Sequence, residues 1–321
     1  MSIVTLAPDI IQVQLPLPFA LRSVNCYLLR DAEGWTVLDT GLHTPDGEDA
    51  WRSTLAELRI KPHDIRQIVL THFHPDHYGM AGWLQALSGA PVLISPRDAE
   101  QVGEVWEIPE GTEDPTLAHF TRHGVPGELT GTIVGVVEML RGDTLPHPKL
   151  SLISAGERIA MGGRDFLAIH APGHSDGQLI FFSEGDGLML CGDHVLMKIT
   201  PHIGWWPNSE PDPLGRYLGS LEALESLPVR LALSGHRGVI ADWPGRLREL
   251  RLHHEERLGA MAAAVGASAN AYEVATRTFA MERYTPHEIR FAVAETVAHL
   301  ELLVLRGELR HEGDAHIRYI A

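Results

Sequence analysis

The stretch Thr71-His72-Phe73-His74-Pro75-Asp76-His77 follows directly on the apolar run Gln67-Ile68-Val69-Leu70. Three imidazoles and one carboxylate fall within seven residues, and imidazole is the commonest protein ligand for metals. His72 and His74 are two apart, so on an extended backbone their side chains point the same way. Pro75 stops the strand and suits the first turn of a helix, which places Asp76 and His77 at a helix start. A strand end, a turn and a helix start can thus present four donors to one small volume. The stretch reads as a metal site.

Further along the chain, three motifs end apolar runs in the same manner. They are Ala171-Pro172-Gly173-His174-Ser175-Asp176-Gly177, Cys191-Gly192-Asp193-His194 and Ser234-Gly235-His236. Each puts one donor just past a strand, beside a glycine that lets the backbone turn sharply. Donors at the same ends of several strands converge on one mouth of a sheet. His170, His194 and His202 lie close to these motifs but read as ordinary hydrogen-bonded histidines.

Between the motifs the chain alternates strands and helices. Strands are expected at 9–17, 23–29, 34–41, 68–70 and 91–95, then at 150–154, 158–161, 165–170, 177–182, 187–190 and 230–233. Helices are expected at 49–58, 76–87 and 213–224. Residues 96–149 form a helical insertion, with helices at 96–106 and 126–141 around a Pro- and Gly-rich segment; it is either packed on the body or a lid. Beyond Trp243-Pro244-Gly245 the pattern is helical at 247–258, 270–278 and 286–305, and a short hairpin closes the chain. These features predict a large domain at 1–245 and a small winged-helix-like domain at 246–321.

The ordered set His-x-His-x-Asp-His, His, Asp, His resembles the metallo-beta-lactamase superfamily over residues 1–245. The resemblance implies an α/β fold, a four-layer α/β/β/α sandwich carrying a dinuclear metal site. It implies that His72, His74 and His174 hold one ion, that Asp76, His77 and His236 hold the other, and that Asp193 bridges them. A histidine rather than a cysteine in the second set is similar to the glyoxalase II-like branch. Asp39, in Val37-Leu38-Asp39-Thr40-Gly41, matches a supporting acidic position. The cofactors implied are two divalent ions, zinc ahead of iron or manganese. The reaction implied is hydrolysis by a bridging hydroxide, with Asp76 and Asp193 as the catalytic carboxylates.

The expected substrate is a small carboxylic ester or thioester, of acyl-CoA, acyl-glutathione or lactone type. Lys198 is either a contact for an anionic part of it or a solvated surface residue, and Trp205 and Trp206 either line the cleft for its apolar part or pack in the core. The alternative is a phosphodiesterase or endoribonuclease, since superfamily members with winged-helix-like extensions include such enzymes. Nucleic acid needs a basic track. The formal net charge is −16, and residues 249–321 carry eight Arg against eleven Asp and Glu. The extension therefore reads as a packing or homodimerisation module. Cys26 and Cys191 read as small buried hydrophobes. Met1-Ser2-Ile3-Val4-Thr5 has no charged segment leading into an apolar core, and no apolar run reaches the roughly 18 residues of a membrane span. No membrane association and a cytosolic location are expected.

Overall fold

The computed structural model describes residues 2–109 and 111–321. These fall into two compact units: Met1–Glu107, Leu140–Pro201 and Ser226–Arg246 in one, and Ile108–Met139, His202–Glu225 and Leu247–Ala321 in the other.

The first unit contains two sheets. Strands β1 (Ser2–Ala7), β2 (Ile10–Pro16), β3 (Ser23–Arg30), β4 (Trp35–Leu38), β5 (Ile65–Val69), β6 (Val92–Ile94) and β7 (Leu150–Leu152) lie side by side in chain order. Pairing is antiparallel from β1 to β4 and parallel from β4 to β7. The second sheet runs β12 (Leu231–Ser234), β11 (Leu188–Gly192), β10 (Leu179–Ser183), β9 (Arg164–His170), β8 (Arg158–Met161), with only β11 and β12 parallel. Tyr27, Leu29, Leu38 and Val69 of the first sheet share one core with Phe166, Leu179, Phe181 and Leu190 of the second. Each fully buried side chain of this kind contributes roughly 1.5–3 kcal/mol. β3 and β10 are buried along nearly their whole length, whereas β9 alternates, burying Phe166 and Ala168. The fold is the expected mixed α/β sandwich, its sheets flanked by helices.

Helices α1 (Pro45–Glu57), α2 (Pro75–Tyr78), α3 (Ala81–Ser88) and α4 (Pro96–Val105) complete this part. Pro occupies the first turn of α1, α2 and α4, and the Thr44 and Ser95 side chains cap α1 and α4. The single helix expected at 76–87 is broken in two. The carbonyl of His77 accepts from the Thr40 amide (2.8 Å) and hydroxyl (2.8 Å), and Met80 N–H donates to Gly41 O (2.9 Å). Backbone groups that would have continued the helix are thus bonded to the loop after β4.

In the second unit lie α5 (Pro115–Arg122), most of α6 (Gly127–Gly142) and of α8 (Trp243–Val265), then α7 (Pro213–Leu224), α9 (Ala271–Thr278), α10 (Pro286–Leu305) and the hairpin β13 (Arg310–Glu312), β14 (Arg318–Ile320). Thr285 and Glu288 form a capping box at the start of α10, as Asn270 and Glu273 do for α9. Two elements have no counterpart in the sequence pattern. β1 is an edge strand, largely exposed, so no apolar alternation marks it. α5 is two turns long inside the Pro- and Gly-rich segment, started by the Asp114 cap and Pro115. Among the described residues no helix is long and apolar enough to cross a membrane.

Candidate metal centre

Parallel pairing puts the C-terminal ends of β4 and β5 on one edge, and those of β11 and β12 likewise. Asp39 follows β4, His72 to His77 follow β5, His174 follows β9, Asp193 follows β11 and His236 follows β12. The structure gathers all seven sequence candidates. Donor atoms of His72, His74 and His174 lie within 4.8 Å of one another, as do those of Asp76, His77 and His236, and those of His72, His77 and Asp193. His74 Nδ1 and His174 Nε2 are 2.9 Å apart. Asp193 touches both sets: Oδ1 lies 3.3 Å from His77 Nε2, while Oδ2 lies 3.2 Å from His236 Nε2 and 3.6 Å from His174 Nε2. Asp76 Oδ2 is 3.3 Å from His236 Nε2.

Outer hydrogen bonds fix which ring nitrogen faces inward. Asp39 Oδ2 accepts from His77 Nδ1 (2.9 Å) and from the Thr71 hydroxyl (2.8 Å). With its proton given to Asp39, Thr71 Oγ1 accepts from His72 Nδ1 (3.0 Å). His236 Nδ1 donates to Ser23 O (2.8 Å). In the neutral form of all three rings the proton sits on the hydrogen-bonded Nδ1, which makes Nε2 the nitrogen that can offer a lone pair to the centre. Asp39 holds a left-handed backbone (φ 57°), a strained conformation of the kind that clusters at functional sites. The His236 loop is tied to β3, because Asn25 Nδ2 donates to the carbonyls of Ser234 and Arg237 (both 3.0 Å) and Tyr27 Oη to Ser234 O (2.7 Å).

The electrostatics divide the donors. Burial, and then crowding by the other imidazoles, holds His72 and His74 well below the ordinary histidine value. Burial also resists charge on His77 and His236, but the carboxylates prevail. Asp193, Asp39 and Asp76 raise His77 well above its usual value, and Asp193 and Asp76 push His236 up to about 10. Conversely, burial works against ionised Asp193, yet His236 and His77 hold its carboxyl well below the carboxylate range.

The stretch from residue 20 to 236 matches the family model described as the metallo-beta-lactamase superfamily. The chain belongs to that superfamily. Residues 258–321 match a metallo-beta-lactamase-like C-terminal domain. The crystal structure of a metallo-beta-lactamase family protein from Thermus thermophilus is similar at TM-score 0.89 and 34% identity, over 98% of this chain and 99% of that one. The probable metallo-hydrolase YqjP of Bacillus subtilis (strain 168) is 27% identical over 71% of each chain. The lactamase-like protein nscB of Neosartorya fischeri is 28% identical over 74% of this chain, which spans only 55% of that relative. With these relatives the chain is a hydrolase, and divalent metal binding is typical of the superfamily.

The residues present fit such ions. His72 Nε2 is buried without a hydrogen-bond partner among the described residues, and His77 Nε2 and Asp193 Oδ1 face each other at 3.3 Å without forming a hydrogen bond. An orphaned buried polar atom costs about 1–3 kcal/mol, a cost that metal coordination removes. Imidazole and carboxylate donors suit zinc, iron or manganese.

Residues outside the metallo-beta-lactamase pattern fall differently. Lys198 is exposed in the first unit. Trp205 and Trp206 lie in the second, half-buried; Trp206 packs against Phe291 (5.8 Å between centroids) beneath Arg290, and Trp205 N–H donates to Ala294 O. His170 Nε2 bonds Asp176 O and His202 Nε2 bonds Phe291 O, each an ordinary hydrogen bond. Cys26 and Cys191 are free and buried. Thr71 and Asn25 carry supporting roles for which no sequence signal stands out.

Gly173 and Gly192 do take positive φ at their turns, but Gly235 does not. What position 235 requires is room, since a Cβ there would stand 2.1 Å from Asp193 Oδ1 and 2.7 Å from His77 Cε1. Gly235→Ala is therefore expected to displace Asp193 and lower kcat/KM by about 10²-fold, the usual penalty for misplacing a reacting group by an ångström. Steady-state kinetics alongside a melting curve checks this, and wild-type turnover would contradict it.

Proposed function

We propose that this hydrolase cleaves a small carboxylic ester or thioester, of acyl-CoA, acyl-glutathione or lactone type. The observation that carries the reading is the convergence of seven imidazole and carboxylate side chains, Asp193 and six others, on one small volume. In this reading His72, His74 and His174 hold one divalent ion and Asp76, His77 and His236 the other. Asp193 lies between them, and zinc is the first metal to test. Bound ions would supply Lewis acidity at the scissile carbonyl and lower the pKa of water toward neutrality. Asp193 holds the two donor sets in register. Asp76, whose side chain is 19% exposed, carries a proton between the centre and solvent.

An all-histidine and carboxylate donor set supports the glyoxalase II-like branch. Residues 1–245 act as the catalytic domain in this proposal. Residues 246–321 form a winged-helix-like packing or homodimerisation module, supported by α8, α9, α10 and the β13–β14 hairpin. Lys198, in the same unit as the centre, supplies a cation for an anionic part of the substrate. Acidic composition, in the whole chain and in residues 249–321, favours a small substrate in the cytosol over nucleic acid.

The test is turnover by the zinc-loaded protein of five substrates: an acyl-CoA, an acyl-glutathione, a lactone, a phosphodiester and a beta-lactam. Hydrolysis of at least one of the first three is expected to exceed that of the last two. Turnover of the phosphodiester alone would replace this reading with the phosphodiesterase one.

A further inference from the structure

His72 and His74 follow β5, while His174 follows β9, so two separate loops must be held in register for these three rings to meet. The element between them is α4. The Asp98 side chain is fully buried, and each of its carboxylate oxygens accepts a backbone N–H from a different loop. Oδ2 accepts from Phe73 N (3.1 Å) and Oδ1 from Gly177 N (2.8 Å), while the Ser175 hydroxyl donates to the same carboxylate at 2.9 Å. Phe73 is the one residue between His72 and His74, and Ser175 adjoins His174. Trp106, the C-cap of α4, donates its indole N–H to Phe73 O (2.9 Å), so the N–H and the C=O of Phe73 are both anchored from α4. Position 177 must be glycine for this contact, as a Cβ there would stand 2.6 Å from Asp98 Oδ1. Asp98 is itself fixed at the helix start, where its own N–H donates to the Ser95 hydroxyl (3.0 Å).

We propose that Asp98, with Trp106, is the positioning residue for the His72, His74 and His174 half of the centre. The proposal rests on the reading of those three histidines as ligands of one ion. Its physical content is that a single carboxylate clamps both ligand loops, which an isosteric amide cannot do. In Asp98→Asn the amide oxygen can accept at one position only, and the NH2 would face the N–H of either Phe73 or Gly177. One loop must then be released. Partners behind metal ligands are worth about 10- to 100-fold in metal affinity.

The experiment is a zinc titration of the metal-free full chain against a chromophoric chelator, which resolves two affinities. Asp98→Asn is expected to weaken one step by about 10- to 100-fold and leave the other unchanged. His174→Ala should abolish that same step, and adding Asp98→Asn to it should not alter the step that remains. Trp106→Phe, which keeps an aromatic ring and removes the N–H, should shift the same step in the same direction and serves if Asp98→Asn does not fold. Both steps unchanged in both variants, or both weakened equally, would overturn the proposal. A wild-type chain that takes up no zinc would instead overturn the ligand reading beneath it.

Discussion

If the centre holds two ions as proposed, Asp193→Ala is expected to remove at least one of them and to abolish measurable turnover. Among the described residues Asp193 is the one side chain whose oxygens lie within 3.6 Å of donors in both sets. It is buried, and it is the strongest influence raising the pKa of both His77 and His236 against the effect of burial. Without it those rings lose the largest single contribution that makes the site favourable to positive charge. Removing one partner of a buried charged pair costs roughly 3–5 kcal/mol. Taken as the scale of the lost carboxylate–cation contact, that is roughly two to four powers of ten in metal affinity at about 1.4 kcal/mol per decade. Metal analysis after dialysis, run beside kcat on the same sample, checks both halves of the expectation. Two metals per chain with full turnover would remove Asp193 from the centre. Asp193→Asn preserves side-chain volume and discriminates loss of charge from a simple cavity; it should resemble the alanine variant if charge is what matters.

Most of this centre is legible in the sequence because the donors are chemically unusual and short-range geometry constrains them. His72 and His74 alternate on one extended segment, and Pro75 forces the helix start that carries Asp76 and His77. His174, Asp193 and His236 are visible by a different route, each standing just past an apolar run. What the sequence does not display is the set of contacts that join distant segments. Asp98 looks like an ordinary helix-start residue three positions after Ser95, and its bonds to Phe73 and Gly177 exist only once three separate segments meet. The break between α2 and α3 has the same origin, since Thr40 and Gly41 capture groups that a local reading assigns to one helix. Local periodicity records what a segment prefers alone. It carries no mark of a hydrogen bond offered by a segment 25 or more residues away.

Asp39→Asn is expected to leave the fold intact and still lose metal, by more than an ordinary outer contact would explain. Asparagine tolerates the left-handed backbone that Asp39 adopts, so the substitution keeps the local conformation, whereas alanine would add strain. The variant's amide oxygen can go on accepting from Thr71 N–H, which lies 2.8 Å from the present Oδ1. The amide NH2 then takes the place of Oδ2, where His77 Nδ1 and the Thr71 hydroxyl both now donate. The neutral His77 that a metal requires relieves that clash by carrying its proton on Nε2, the nitrogen that faces Asp193 and Asp76. A protonated Nε2 has no lone pair to give to a metal. The loss is therefore expected to lie between about 10²-fold, the upper range for a missing outer partner, and about 10⁴-fold, the scale seen when a catalytic imidazole is held in the wrong tautomer. Thr71 sharpens the test. Its hydroxyl relays Asp39 to His72, so Thr71→Val should weaken the His72 side alone, by about 10-fold, and leave His77 correctly oriented. Chelator competition on the metal-free variants gives both numbers, and melting temperatures without metal separate site damage from loss of stability. If Asp39→Asn bound both metals with wild-type affinity, the tautomer of His77 would have to be set by something other than the Asp39 carboxylate.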